Sequence, residues 1–406
     1  MHRLARLGLA AVAAAALAIP TALDAQAPVE PFKVGSFAVG GRQFVGLVLR
    51  DQFIVDIAAA NAAMPSGRIE APAHMVDLIE RYDSGVRSRL VQITNDLVQN
   101  NGLTGDARRP YVHPVASVDI LAPITNPWPS KIMNAAVNFY THACEGCTPE
   151  QLAARTKERQ TNRGVPYLFL KPTRGAIIGD GDEVIMPFGR DEIEWEVELA
   201  IVFGRQGKYV AARRAYDHVF GYMIGMDISD RGGRPPGGFG SGSDWFVGKG
   251  HDTFAPQGPW IVPKEFFGDP MQKLHQQLVI DGVTVQEARA GDMIHSIPEL
   301  IEYASSLITI FPGDVLQSGT SGGTGAGRVK RASGSGYLVD GETLSASIEG
   351  IGTLRHRVRR ETSVPSDLSG AQLPPTSQYR GRGGQGGAGQ GAGGRGGAGR
   401  GGGNPQ

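Results

Sequence analysis

The sequence predicts an α+β protein rich in β-structure, its sheet closed or folded over on itself. Two observations carry this. Many short apolar runs of strand length are separated by glycine, proline and aspartate turns, with few long stretches of helical spacing between them. The stretch 193–202 alternates apolar residues with glutamates and then turns wholly apolar. That is a strand pattern, with successive side chains on opposite faces. Glu194, Glu196 and Glu198 then share one face, and Trp195, Val197 and Leu199 the other.

The elements follow in order. Residues 1–25 read as a signal peptide. Arg3 and Arg6 precede an apolar run over 7–19 that is too short to span a bilayer comfortably, and Ala25 is the expected last residue removed. The expectation is an exported protein, periplasmic or secreted, without a membrane span. Residues 28–120 form a small N-terminal domain. Within it, runs at 32–39, 43–49 and 53–57 make a meander, and 75–98 has helical spacing through Met75, Leu78, Ile79, Tyr82, Val86, Leu90, Ile93 and Leu97.

The main domain spans 125–360. It holds an apolar segment from Ile132 leading to His142, a short helix from Pro149 to Arg159, and strands at 166–170 and 184–187. Further on come the 193–202 strand and a second apolar run, 221–226, that ends in Asp227. A hairpin over 274–285 turns at Asp281-Gly282, a helix over 297–308 follows Ser296, and the last strands lie in 344–358. From 361 to 406 the chain is first proline-punctuated, then built almost entirely of Gly, Ala, Gln and Arg. This predicts a disordered tail.

The 406 residues carry 40 basic and 40 acidic side chains. A formal charge of zero argues against nucleic acid as a whole-surface partner. Carboxylates along a strand, with another at a strand end, are the ingredients of a hard-cation site with oxygen ligands. The same glutamates on a solvated edge strand would be unremarked polar surface. Cys144 and Cys147 are the only cysteines. In an exported chain they read as a disulfide, a redox pair or two free thiols, and the disulfide is preferred.

Several segments in one order resemble the fumarylacetoacetate hydrolase family. Asn138-Phe139-Tyr140-Thr141-His142-Ala143-Cys144-Glu145 is similar to its Asn-Tyr-x-x-His-x-x-Glu segment. Pro166 through Phe169 to Lys171-Pro172 is similar to its Pro-x-x-Phe-x-Lys-Pro strand, and Glu196-Val197-Glu198 to its Glu-x-Glu metal motif. Asp227-Ile228-Ser229-Asp230-Arg231, then Gly248-Lys249 through Asp252, Phe254, Pro256 and Gly258-Pro259, continue the series. Pro312-Gly313-Asp314 and Ser318-Gly319-Thr320 close it.

The resemblance implies a β-rich mixed sheet rolled over on itself and a homodimer. It implies Glu196, Glu198 and Asp227 as metal ligands, for Mg²⁺ with Mn²⁺ or Ca²⁺ as alternatives. Some members add an aspartate seven residues before the histidine. Ala135 stands there, so the three-carboxylate subgroup is the better match. The implied substrates are small 2-oxo acids or 1,3-diketones, and the implied chemistry is C–C hydrolysis, decarboxylation or isomerisation. All three need negative charge stabilised on an oxygen held by the metal.

By the same resemblance His142 is the general base for water, oriented by Glu145, and Lys249 faces the developing charge. Arg231 clamps a substrate carboxylate, and Gly319 and Thr320 donate to it. Arg234 stands where some members carry a substrate-contacting glutamine, which hints at a more anionic substrate. The expected activity is hydrolysis of 2,4-dioxo acids of the acylpyruvate or fumarylacetoacetate kind. A decarboxylase or isomerase on the same site is the first alternative, and a non-catalytic binding relative the second.

Overall fold

The computed structural model describes residues 30–237, 244–325, 331 and 333–380. The expected signal peptide lies outside them. The architecture is α+β and strand-rich. Among the described residues a twelve-stranded sheet forms the spine. Its path runs through Val112–Pro114, Phe53–Asp56, Arg42–Leu49, Phe32–Val39, Ala255–Pro263, Val219–Met226, Val197–Phe203, Val315–Gln317, Ile132–Ala135 and Leu168–Lys171. A five-stranded sheet packs against it, in the order Val283–Arg289, His275–Ile280, Thr343–Ile348, Gly352–Arg360, Glu183–Met186.

The N-terminal residues extend the spine rather than forming a sheet of their own, because Phe32–Val39 pairs with Ala255–Pro263 at Val34 opposite Ile261. The expected meander is present, with Phe32–Val39 antiparallel to Arg42–Leu49 and that strand antiparallel to Phe53–Asp56. The expected hairpin at Asp281-Gly282 is present too.

Val197–Phe203 is the central strand, and it is buried along its whole length. Its period of two divides it between two cores. Val197, Leu199, Ile201 and Phe203 enter the core between the two sheets, together with Trp195 and Ile193. Ala200 and Val202 face the other core, under Leu78, Leu90 and Ile93 of the N-terminal helices. Each aliphatic side chain of this size contributes about 1.5–3 kcal/mol on full burial, so both faces hold the strand in register. Glu198 shares the face of Ala200 and Val202, which places a carboxylate at the rim of that packed layer.

Three expectations need correction. The 193–202 run is not one continuous ladder. Ile193–Glu194 pairs with Ser229–Asp230, and pairing with Val219–Met226 begins only at Val197. The alternation survives this break, because Ile193, Trp195 and Val197 still fill one core. The 75–98 helix is broken. Met75–Glu80 and Arg87–Gln99 are separate helices with a kink at Ser84 and Gly85, where Gly85 takes φ 131°. Only glycine adopts that angle without strain. Finally, 361–406 is not uniformly tail. Residues 376–380 dock on the body through Thr376, Tyr379 and Arg380, and residues 381–406 lie outside the described residues.

The other two expected helices, Pro149–Thr161 and Ile297–Leu307, both begin with a capping box. Thr148 and Ser296 each accept from the backbone three residues on, where Gln151 and Glu299 reach back.

Candidate metal centre

Glu196, Glu198 and Asp227 converge. One carboxylate oxygen from each lies within 4.8 Å of the others, and all three residues are buried. Backbone geometry brings them together. Glu198 sits on the central strand, Glu196 at the break just before it, and Asp227 just past the end of the adjacent strand, with its N–H donating to the Glu196 carbonyl at 2.9 Å.

The donor set fits a hard divalent cation. Glu198 Oε2 accepts from the Gly319 N–H at 2.7 Å, whereas Glu198 Oε1 is buried with no hydrogen-bond partner. A buried carboxylate oxygen without a partner is unfavourable, and a cation supplies what is missing. Burial, then the charges of Asp227 and Glu196, hold the Glu198 carboxyl well above the usual range. An ion would reverse that tendency. Glu196 goes the other way: burial would raise it, but Lys249, Arg231 and His142 outweigh that and hold it low.

Two lysines flank Asp227. Lys249 closes the short helix Trp245–Lys249, which Asp244 caps by accepting from the Phe246 N–H at 2.9 Å. Its ammonium donates to Asp227 Oδ2 at 2.5 Å, Ser229 Oγ at 2.6 Å and Glu196 Oε2 at 3.2 Å. Burial alone would lower its pKa, but Asp227 and Glu196 overcome this and raise it, so it stays charged. Lys171, at the end of Leu168–Lys171, donates to Asp227 Oδ1 at 2.5 Å and to the Ile228 carbonyl at 2.8 Å. Its burial is complete, and it lowers the pKa to about 8 against the pull of Asp227. Each carboxylate oxygen of Asp227 keeps a further lone pair for an ion.

His142 and Glu145 meet as expected, with His142 Nδ1 3.2 Å from Glu145 Oε1. A 3₁₀ turn over His142–Cys144 brings them together, rather than an α-helical face. Glu145 is itself held by the Gly323 and Thr324 N–H groups, each at 3.3 Å, and by the Thr324 hydroxyl at 3.1 Å. The Cys144–Cys147 disulfide brackets this glutamate.

Other expected contacts have different partners. Arg231 is ion-paired within the cluster, donating from Nη2 to Glu196 Oε1 at 2.5 Å and from Nε to Glu194. Its side chain is still 36% exposed, so part of the guanidinium faces outward. Thr320 is buried; its hydroxyl donates to the Val197 carbonyl at 2.9 Å and accepts from Gln286 Nε2 at 2.8 Å. Both donors expected to face a substrate carboxylate, the Gly319 N–H and the Thr320 hydroxyl, are engaged by the strand that carries Glu198. Gly319 is required where it stands: at φ 90° an added Cβ would lie 2.7 Å from Asn138 Cβ. Arg234 pairs with Asp244 at 2.8 Å, which ties it to the cap of the Lys249 helix.

Sequence reasoning gave Lys171 no role, although the residue stood in the quoted Pro-x-x-Phe-x-Lys-Pro segment. A lysine ending an apolar strand was the available signal. It also missed Gln286, whose Oε1 accepts from the Val197 N–H at 3.0 Å and which thereby braces the metal strand. A surface cavity of about 520 Å³, lined by Gln43, Trp128, Arg174 and Asp182 among others, lies elsewhere; none of the acidic cluster lines it.

The chain is similar to several known proteins. The family model for the fumarylacetoacetate (FAA) hydrolase C-terminal domain matches residues 131–359. A 2,4-didehydro-3-deoxy-L-rhamnonate hydrolase of Sphingomonas sp. is 34% identical over 240 residues, 59% of this chain and 77% of that protein. A mitochondrial oxaloacetate tautomerase of Homo sapiens is 32% identical over 271 residues, 66% of this chain and 79% of that protein. The crystal structure of maleylpyruvate hydrolase from Sphingobium sp. SYK-6, in complex with manganese(II) ion and pyruvate, is 30% identical with a TM-score of 0.58; the match covers 81% of this chain and all of that one. The matched span encloses the acidic triad, both lysines, Arg231 and the His142–Glu145 pair, and this chain belongs to the fumarylacetoacetate hydrolase family.

Proposed function

We propose that this protein is a divalent-metal-dependent hydrolase that cleaves the C3–C4 bond of a 2,4-dioxo acid of the acylpyruvate type. The observation that carries the reading is the buried Glu196–Glu198–Asp227 triad, with an orphaned Glu198 oxygen and a charged Lys249 beside it. Those three carboxylates would hold Mg²⁺ or Mn²⁺; the manganese complex of the maleylpyruvate hydrolase supports a divalent ion of this kind. When bound, the ion supplies Lewis-acid stabilisation for charge developing on the 2-oxo oxygen.

The chain's own residues do the rest. Arg231, held against Glu196, offers its outer edge to the substrate carboxylate. His142 takes a proton from water at Nε2, while Nδ1–H donates to Glu145 and fixes the ring. The water oxygen joins C4, the C3–C4 bond breaks, and its electron pair passes into the pyruvate enolate. A proton delivered to C3 completes pyruvate, and the other product is the carboxylic acid. Lys249 keeps positive charge beside this developing anion.

A second reading is isomerisation or decarboxylation of a 2-oxo diacid. It uses the same charge stabilisation without an attacking water, and a tautomerase among the relatives favours it. The disulfide supports an oxidising compartment, and hence export. Exposed Val165, Tyr167 and Leu170 at the end of the main sheet support a homodimer. The test is product analysis with a panel of 2,4-dioxo acids and oxaloacetate in Mg²⁺ or Mn²⁺. Release of pyruvate and a carboxylic acid is expected. Turnover of oxaloacetate alone would select the second reading, and ligand binding without turnover would overturn both.

A further inference from the structure

The matched family span ends at residue 359, yet the chain returns to the site after it. Thr376 is buried. Its N–H donates to the Gly189 carbonyl at 2.8 Å, and its hydroxyl donates to Asp191 Oδ2 at 3.0 Å. The Tyr379 hydroxyl accepts from Arg190 Nη1 at 2.6 Å and donates to the Gly233 carbonyl at 3.0 Å. Arg380 donates from Nη2 to the Arg231 carbonyl at 2.8 Å and from Nε to the Gly232 carbonyl at 3.3 Å.

The carbonyls of 231, 232 and 233 are therefore all capped by this segment. They open a stretch rich in glycine and proline that, among the described residues, forms no strand past Asp230, and side-chain donors take the place of a ladder partner at these carbonyls. Arg190 couples the same loop to the body. It holds Asp230 Oδ2 at 2.6 Å and the Gly233 carbonyl at 2.8 Å, and Asp230 accepts from the Gly232 N–H at 2.8 Å. The fit is close. A Cβ added at Gly232 would lie 2.5 Å from Thr376 Cγ2.

Arg231 thus stands between two anchors, its side chain on Glu196 and its backbone under Arg380. We infer that residues 376–380 are a positioning clamp that holds Arg231 at the acidic site and so sets the affinity for a carboxylate-bearing substrate. This rests on the reading of Arg231 as the substrate's carboxylate partner. Tyr379 and Arg380 are positioning residues, since neither touches the acidic triad.

The test compares the full chain, a chain ending after Leu373, and the variants Tyr379→Phe, Arg380→Met and Arg380→Lys. Two quantities are read: hydrogen exchange at the amides of Arg231 and Gly232, and pyruvate affinity in the presence of Mn²⁺. Losing the charged bonds from Arg380 should weaken pyruvate binding about ten-fold and speed exchange by a similar factor. Mn²⁺ affinity and melting temperature should hold in Arg380→Met, and Arg380→Lys should recover part of the loss. Unchanged exchange in Arg380→Met, or faster exchange with unchanged pyruvate affinity, would overturn the inference. If the full chain itself fails to bind pyruvate, the substrate reading fails, and the exchange comparison decides the clamp without a ligand.

Discussion

Lys171 Nζ lies 2.5 Å from Asp227 Oδ1, and both side chains are buried. Lys249 takes the other oxygen of the same carboxylate. One predicted metal ligand is thus shared between two ammonium groups, while Glu198 keeps a bare oxygen. The charge pattern is asymmetric: cations on the Asp227 side, uncompensated carboxylate on the Glu198 side.

Removing Lys171 tests that asymmetry. Breaking a buried pair costs about 3–5 kcal/mol, and because Lys249 still serves Asp227 the loss in Lys171→Met should sit at the lower end. A divalent ion would restore the missing positive charge. Mn²⁺ should therefore raise the melting temperature of Lys171→Met by more than it raises that of the wild type. Equal shifts in the two proteins would contradict the shared-ligand picture.

Much of the site was legible from residue order. Glu196 and Glu198 share a face because strand side chains alternate, and that held even though the ladder is interrupted at Trp195. His142 and Glu145 were singled out by the family resemblance of their segment, and a single turn brings the two side chains together. What could not be read were choices among partners. That Arg231 is also held by neighbouring carboxylates could not be read, because only the fold brings Glu194 and Glu196 up to it. Thr320 is drawn to Val197 and Gln286 by a strand far away in sequence. The docking of Thr376, Tyr379 and Arg380 has no periodicity to announce it, because its bonds run to loop carbonyls.

The His142–Glu145 pair separates hydrolysis from its rivals. General-base assistance is worth about 10²–10⁴-fold, so His142→Ala should cut acylpyruvate hydrolysis by that order. Glu145→Gln should cost less, because a glutamine can still accept from the Thr324 N–H. Oxaloacetate decarboxylation, which needs no activated water, should fall much less in both. Mn²⁺ affinity should hold. Hydrolysis undiminished in His142→Ala would place the base elsewhere.

His356 gives the fold a pH dependence. Burial lowers its pKa to about 4, against the bond between Nδ1 and the Asp182 carbonyl at 2.9 Å, and its Nε2 is buried without a partner. The unfolded chain binds this proton below about pH 6.5, whereas the native state does so only near 4. Stability is therefore fully present above pH 6.5 and falls as pH drops through 4, by about 3 kcal/mol in total. Denaturant midpoints at pH 7.5 and 4.5 check this. The wild type should lose more than His356→Gln over that interval, and parallel losses would contradict it.

The central claim is that Glu196, Glu198 and Asp227 hold a divalent ion that hydrolysis requires. Its most direct test is a Mn²⁺ titration of the full chain and of Glu198→Gln, with acylpyruvate hydrolysis followed on the same samples. The exchange keeps the side chain's shape and removes a carboxyl whose charged form burial and its neighbours already disfavour, so the metal-free variant should be as stable as the wild type or more so. We expect one tight ion per wild-type chain. In Glu198→Gln, affinity and hydrolysis should fall together by about a hundred-fold or more. Wild-type affinity in that variant, or full hydrolysis by a metal-stripped wild type, would contradict the account.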